Sequence, residues 1–281
     1  MRTVPDRQQV HWTRERCLCI ACGGVRVNLS DDIVGCAKLV EQGDPDRFRT
    51  VMAAPVSARR VLFPLYAFNV EVSRAPWVTQ EPMIAEMRLQ WWRDALEEIA
   101  KGKAVRKHEV TTPLAEVIDP EKAKMLDGAI VSRRWDIYKE AFEDPEHFDH
   151  YIDATAGHLM WAAAACLGAR PEAEPAVRGV AYAAGVAAFL RAVPDLEASG
   201  RIPLIDGANE GVATLARRAQ ARLIRPDLPK LARAALWPAI GTGKFLNDVI
   251  KAPGLVADGA IPARLTSGRL SWSALTGWFM F

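Results

Sequence analysis

Few side chains in this 281-residue chain are spaced for chemistry. The densest set lies between Arg59 and Glu98, where Glu86, Gln90, Arg93, Asp94 and Glu97 recur at helical spacing. Such a stripe either faces water or lines a polar cavity. Cys17, Cys19 and Cys22, with Cys36 further on, offer thiolates for a metal, but Cys-x-Cys-x-x-Cys lacks the second clean pair of a zinc site. His147 and His150 stand three residues apart, beside Asp149 and Asp153. Metal ligation and a plain surface helix start both fit them. Gly241-Thr242-Gly243-Lys244 has a phosphate-loop flavour without the full spacing. His158 reads as a satisfied helix residue.

The elements that must position these groups are helical. Val61, Leu65, Phe68 and Val72 form one apolar stripe, and Ile84, Met87, Trp91, Ala95 and Ile99 a second. Arg74-Ala75-Pro76 and Gln80-Glu81-Pro82 break the chain between them, and Pro82 suits the first turn of the second helix. Ser30, Asp44, Asp119 and Asp144 are expected N-caps, three of them followed directly by proline. Residues 114–143 read as two helices, and one long helix is expected from Asp144 to Leu167. Further helices are expected over Glu174–Leu196, Gly211–Arg222 and Leu228–Ala239. Pro194 is expected to break the helix beside Asp195. Lys101, Lys103, Arg106 and Lys107 read as a solvated basic connector.

Composition sets the frame. Half the residues are hydrophobic and a quarter charged, so the chain can bury a sizeable core. A net charge of +2 is too small to argue for nucleic acid. β-Branched residues rarely cluster, which predicts an all-α fold. The longest apolar run, Val180 to Leu190, is short for a membrane span and reads as a buried core helix. No secretory signal is legible, so the cysteines read as reduced thiols in a cytoplasmic compartment. Residues 1–28 lack a core pattern and read as a disordered, dispensable extension; 29–281 read as one domain. The tail places Trp272, Trp278, Phe279 and Phe281 near the end, to dock on the core or meet a membrane or partner.

Tyr66-Ala67-Phe68 and the run Arg88-Leu89-Gln90-Trp91-Trp92-Arg93-Asp94-Ala95-Leu96 resemble motifs of the squalene/phytoene synthase family. Ala67-Phe68-Asn69-Val70-Glu71 is similar to one branch of it, the squalene-synthase-like assembly factors of respiratory complex I and their bacterial relatives. Ala156-Gly157, Leu190-Arg191 and Gly200-Arg201-Ile202-Pro203-Leu204 extend the likeness, which runs from near Leu29 to Ile250. The resemblance implies a single-domain, isoprenoid-synthase-like helical bundle around a central cavity.

The resemblance also implies a chemistry. Family enzymes join two prenyl diphosphates, and Mg²⁺ held by aspartates on two facing helices makes diphosphate a leaving group. The positions implied for those aspartates are here Ser73, Arg74, Trp77, Ala192 and Leu196, and none is a carboxylate. Tyr66, Glu71, Arg88, Gln90, Arg93, Asp94, Arg191 and Asp195 remain as candidate polar residues of the cavity, with the three arginines expected to pair with Glu71, Asp94 or Asp195. The expected function is therefore that of a non-catalytic assembly or chaperone-like factor, with no cofactor. Its expected partner is a respiratory-chain protein or a prenyl lipid, with peripheral contact at the inner face of a membrane. The alternatives are an active head-to-head prenyl transferase holding Mg²⁺ through Glu71, Asp94 or Asp195, and an isoprenoid-binding protein without turnover.

Overall fold

The computed structural model describes residues 30–259. The extension 1–28, with Cys17, Cys19 and Cys22, and the aromatic tail lie outside the described residues. Helix starts follow the sequence closely. Ser30 opens α1 (Asp31–Gly43), Asp44 α2 (Pro45–Ala53), Asp119 α6 (Pro120–Ser132) and Asp144 α7 (Pro145–Ile152). Each cap accepts a bond from the third residue on, as Asp44 does from the Arg47 amide at 2.9 Å and Asp144 from the His147 amide at 2.7 Å. Such caps contribute about 1 kcal/mol apiece. Between them run α3 (Val56–Arg74), α4 (Pro82–Ala100) and a short α5 (Thr111–Ala115). The chain continues as α8 (His158–Cys166), α9 (Glu174–Ala198), α10 (Asn209–Ala221), α11 (Thr242–Lys251) and α12 (Gly254–Ala257). No strand occurs among the described residues.

Two apolar clusters share one helix. The first joins α1, α3, α4, α6, α8 and the start of α9 around Phe63, Leu65, Phe68, Leu89 and Leu126. The second joins α7, α10, α11 and the rest of α9 around Phe148, Phe189, Leu190 and Leu246. Against the second, α9 comes close to the segment after α7. A Cβ on Gly185 would lie 2.8 Å from both Ala156 Cβ and Ile152 Cγ2, so only glycine fits there.

Several expectations are corrected. Pro194 sits inside α9, which continues to Ala198. A mid-helix proline costs about 3 kcal/mol, but Val193 and Leu196 on either side are buried in the second cluster. The helix ends at Gly200, in left-handed conformation with φ 79°, and the Arg201 amide returns to the Leu196 carbonyl at 3.1 Å. The core face of α4 is Ala85, Leu89, Trp92, Ala95, Leu96 and Ile99; Ala95 and Ile99 of the expected stripe are buried, whereas Ile84 and Met87 are exposed. Two stripes one residue apart on the same sequence are indistinguishable by period alone. The expected helix 144–167 is interrupted by a π turn over Asp153–Gly157, where the Thr155 hydroxyl donates to the Tyr151 carbonyl at 2.6 Å. The second of the helices expected over 114–143 ends in a 3₁₀ turn at Arg133–Asp136, and 228–239 gives a 3₁₀ turn at Ala232–Ala239 that contains Pro238. In the basic connector, Arg106 is clasped by Glu98 at 2.6 Å and lies over Trp91 at 5.1 Å.

Gly185→Val is therefore expected to destabilise the domain by about 1–3 kcal/mol through overpacking. Gly207→Ala, in open space, should stay within about 0.5 kcal/mol. Urea denaturation followed by circular dichroism would measure both.

Candidate functional site

A cavity of about 640 Å³ opens between α3 and α9. Tyr66, Asn69 and Ser73 come from α3, spaced i, i+3 and i+7 on one face. Opposite, α9 contributes Ala181, Ala184, Gly185, Ala188, Ala192 and Leu196, a wall of small and apolar side chains. Leu159, Met160, Pro238 and Ile240 extend that apolar lining, and Trp77 stands at the rim. The α9 side is mostly apolar, with Arg191 and Asp195 toward its C-terminal end; the other side is polar.

The polar side is built from paired groups. Asp44 accepts from Arg47 at 3.1 Å, and the Arg47 guanidinium lies 5.0 Å from the centroid of the Tyr66 ring. Tyr66 is buried, its hydroxyl 3.5 Å from the Ala235 carbonyl. Burial pushes its phenol up to about 12, against the opposing pull of Arg47. Further along, Arg133 donates to Asp136 at 2.9 Å and to the Tyr151 hydroxyl at 2.8 Å, while Tyr151 donates to Asp136 at 2.9 Å. Asp136 is buried, and this closed triangle supplies the countercharge it needs. Buried Arg201 ties the segment down, donating to the carbonyls of Trp135, Asp136 and Tyr138. Its guanidinium also lies 4.7 Å from the centroid of Trp77.

Of the eight polar candidates, the structure brings Tyr66, Arg191 and Asp195 to the cavity. Arg191 stacks on Phe245 at 3.9 Å, and Asp195 is exposed at the rim. The others stand elsewhere. Arg93 clamps α4 to α6 through Asp127 at 2.8 Å. Gln90 bonds Asp94 at 2.7 Å on an exposed face, Glu71 lies 3.7 Å from Arg74, and Arg88 is exposed. Ser73, Trp77, Ala192 and Leu196 all line the cavity, whereas Arg74 points away with most of its side chain in water. Asp44, Arg47, Arg133, Asp136 and Tyr151 were not singled out by sequence. Asp44 was legible only as a cap, and the others lie on separate elements with no shared spacing.

A divalent cation finds few free oxygens here. Asp44, Asp46 and Asp136 are engaged by Arg47, Arg49 and Arg133, leaving Asp195 as a lone carboxylate on the α9 wall. Among the described residues no group of three or more His, Cys, Asp or Glu side chains is disposed to hold a metal. His147 instead packs edge-on against Phe142, 5.4 Å between centroids. The donor set does not fit a Mg²⁺ cluster of the kind that bridges diphosphate oxygens.

A family model for squalene/phytoene synthase matches residues 40–212. The chain is 25% identical over 280 residues to an NADH dehydrogenase (ubiquinone) complex I, assembly factor 6 homolog of Drosophila melanogaster, covering 87% of this chain and 84% of the relative. It is 28% identical over 173 residues to the complex I assembly factor 6 of Mus musculus, covering 57% of this chain. The chain spans about half the length of that relative, 48%. Among solved structures, a dehydrosqualene synthase in complex with ligand superposes with a TM-score of 0.70 at 16% identity, over 87% of this chain and 94% of that one. The squalene synthase HpnC from Alicyclobacillus acidocaldarius gives 0.63 at 18% identity, over 83% and 95%. At those identities the likeness establishes the fold.

Two outcomes follow from the paired groups. Arg133→Met strands buried Asp136 and should cost about 3 kcal/mol. Arg88→Met, on an exposed side chain with no partner among the described residues, should stay within about 0.5 kcal/mol; thermal melts compare them. All four tyrosines titrate above the ordinary phenol: Tyr66 and Tyr182 at about 12 and Tyr151 higher, through burial, and Tyr138 through Glu86. The folded chain thus keeps protons that the unfolded chain releases near pH 10. The tyrosines' contribution to stability is fully present below about pH 10 and is lost as pH rises through the folded values. Tyrosinate absorbance should appear only above pH 10, together with alkaline unfolding.

Proposed function

Because the chain belongs to the squalene/phytoene synthase family, we propose that it is a non-catalytic member of that family. On this reading it is an assembly factor of the respiratory complex I type, with the cavity kept for binding. One observation carries the reading. Ser73 and Trp77 on one side and Ala192 and Leu196 on the other line the same cavity, where the family's two carboxylate walls would face each other. Neutral side chains there cannot hold the divalent cations that make diphosphate a leaving group. Each strong electrostatic contact of that sort is worth about 10²–10³ in rate, so several lost together remove turnover. No metal or other cofactor is required.

The apolar α9 wall and the paired polar side suit a ligand with a long apolar chain, such as a prenyl lipid. The names of the relatives support a partner protein of the respiratory chain. Such a protein would work in the cytoplasm, peripherally on the inner face of the membrane that houses that partner.

The purified chain, given farnesyl or geranylgeranyl diphosphate with Mg²⁺ or Mn²⁺, is expected to release no diphosphate above background. Deleting its gene in its own host should deplete the assembled respiratory NADH dehydrogenase on a native gel, with recovery on re-expression. Squalene, phytoene or their cyclopropyl precursor formed at an ordinary enzymatic rate would establish instead a prenyl transferase that uses Asp195. A normal complement of assembled enzyme in the deletion strain would end the assembly reading.

A further inference from the structure

Large exposed apolar side chains gather at one edge of the domain. Met83 and Met87 of α4 are 75% and 66% exposed, and Ile84 beside them is also exposed. Trp77 and Val78 stand exposed in the turn that leads into α4. The α4 residues cannot turn inward, since Ala85, Leu89 and Trp92 already hold the core face. A cluster of this size on a soluble surface marks a contact with something apolar.

Two features identify the occupant. The first is charge. Arg88 adjoins Met87, is exposed, and has no partner among the described residues. Arg74 is largely exposed, with Glu71 at 3.7 Å, and Glu86 is matched by Arg134 at 2.9 Å. Exposed Glu81 offsets part of this positive charge, so apolar insertion would carry most of the binding and anionic headgroups would add to it. The second is continuity. Trp77 belongs both to this edge and to the cavity rim, so the exposed patch leads directly into the apolar α9 wall. A bilayer is the partner that fits both features: Trp and Met side chains enter the acyl boundary while arginines meet lipid phosphates.

We propose that the Trp77–Arg88 edge seats on an anionic lipid surface and sets the cavity mouth against the bilayer. This deepens the membrane contact proposed above and rests on it, but moves it from the aromatic tail to α4. Vesicle binding by the purified full chain does not depend on respiratory assembly, so the two can fail separately.

The test is flotation with phosphatidylcholine vesicles, alone or with about a third phosphatidylglycerol. The wild-type chain should float with both, more strongly with the anionic vesicles. Ile84→Asp with Met87→Asp should lower binding at least about tenfold on either, since a charge at each inserted position opposes burial. Arg88→Glu should lower it about fivefold on anionic vesicles only. Met83→Ser with Met87→Ser provides a milder version, and unchanged melting temperatures confirm folding of all three. Ile224→Asp, at an exposed position of another region, should float as wild type. The proposal is overturned if the wild-type chain stays unbound, or if the α4 variants float like it. It is also overturned if Trp278→Ser with Phe281→Ser abolishes flotation that the α4 variants retain. Equally, a wild-type dimer that the α4 variants dissociate without loss of flotation would make this edge an interface between copies.

Discussion

The absence of a side chain at position 185 is the constraint from which the rest of the site follows. It lets α9 lie against the π turn closely enough that Ala156 and Ile152 occupy the space a Cβ would need. With α9 drawn in, its small residues Ala181, Ala184 and Ala188 leave room on the α3 side, and that room is the cavity. The π turn takes part as well. It carries Thr155, a lining residue whose hydroxyl is turned back to the Tyr151 carbonyl, while the Tyr151 hydroxyl serves Asp136. Packing on one side of the helix and polarity on the other are set by the same few residues.

Apart from Asp195 at the rim, the carboxylates of the cavity are satisfied internally. Asp44 with Arg47, and Asp136 with Arg133 and Tyr151, are closed sets whose lone pairs and protons point at each other. In a metal site the carboxylates must instead present free oxygens to the cation. An arginine-paired carboxylate is therefore a different device from a metal-bound one. It keeps its countercharge when no ligand is present, and it presents a bound molecule with a fixed pattern of dipoles rather than a Lewis acid. The apolar α9 wall then decides what fits, through length and shape.

How much of this was legible beforehand varied with the range of the interactions. Caps such as Asp44, Asp119 and Asp144 act over three residues and could be read directly. The all-α class was legible in the apolar stripes and the scarcity of β-branched clusters, whereas the bundle around a cavity and the facing of Ser73 and Trp77 toward Ala192 and Leu196 came through resemblance to a family, since no local period could place α3 against α9. The polar network was out of reach. Arg47, Arg133 and Tyr151 lie on three separate elements, and only the folded chain brings them to one cavity. The polar stripe of α4 looked more like a site and is instead a set of surface and interhelical pairs, Gln90 with Asp94 and Arg93 with Asp127. Pro194 misled for a related reason: the rule that proline ends a helix concerns the backbone, while burial of Val193 and Leu196 acts through tertiary contacts.

The sharing of α9 between the two apolar clusters has a consequence for how the domain comes apart. Val177 and Val180 belong to one cluster, Val186 and Leu190 to the other, on a single uninterrupted helix. Neither cluster can dissolve without baring part of α9, and α9 cannot unwind without dissolving both. The two halves therefore form one cooperative unit rather than separate foldons. The mid-helix amides of α9 are expected to exchange with solvent only through global unfolding.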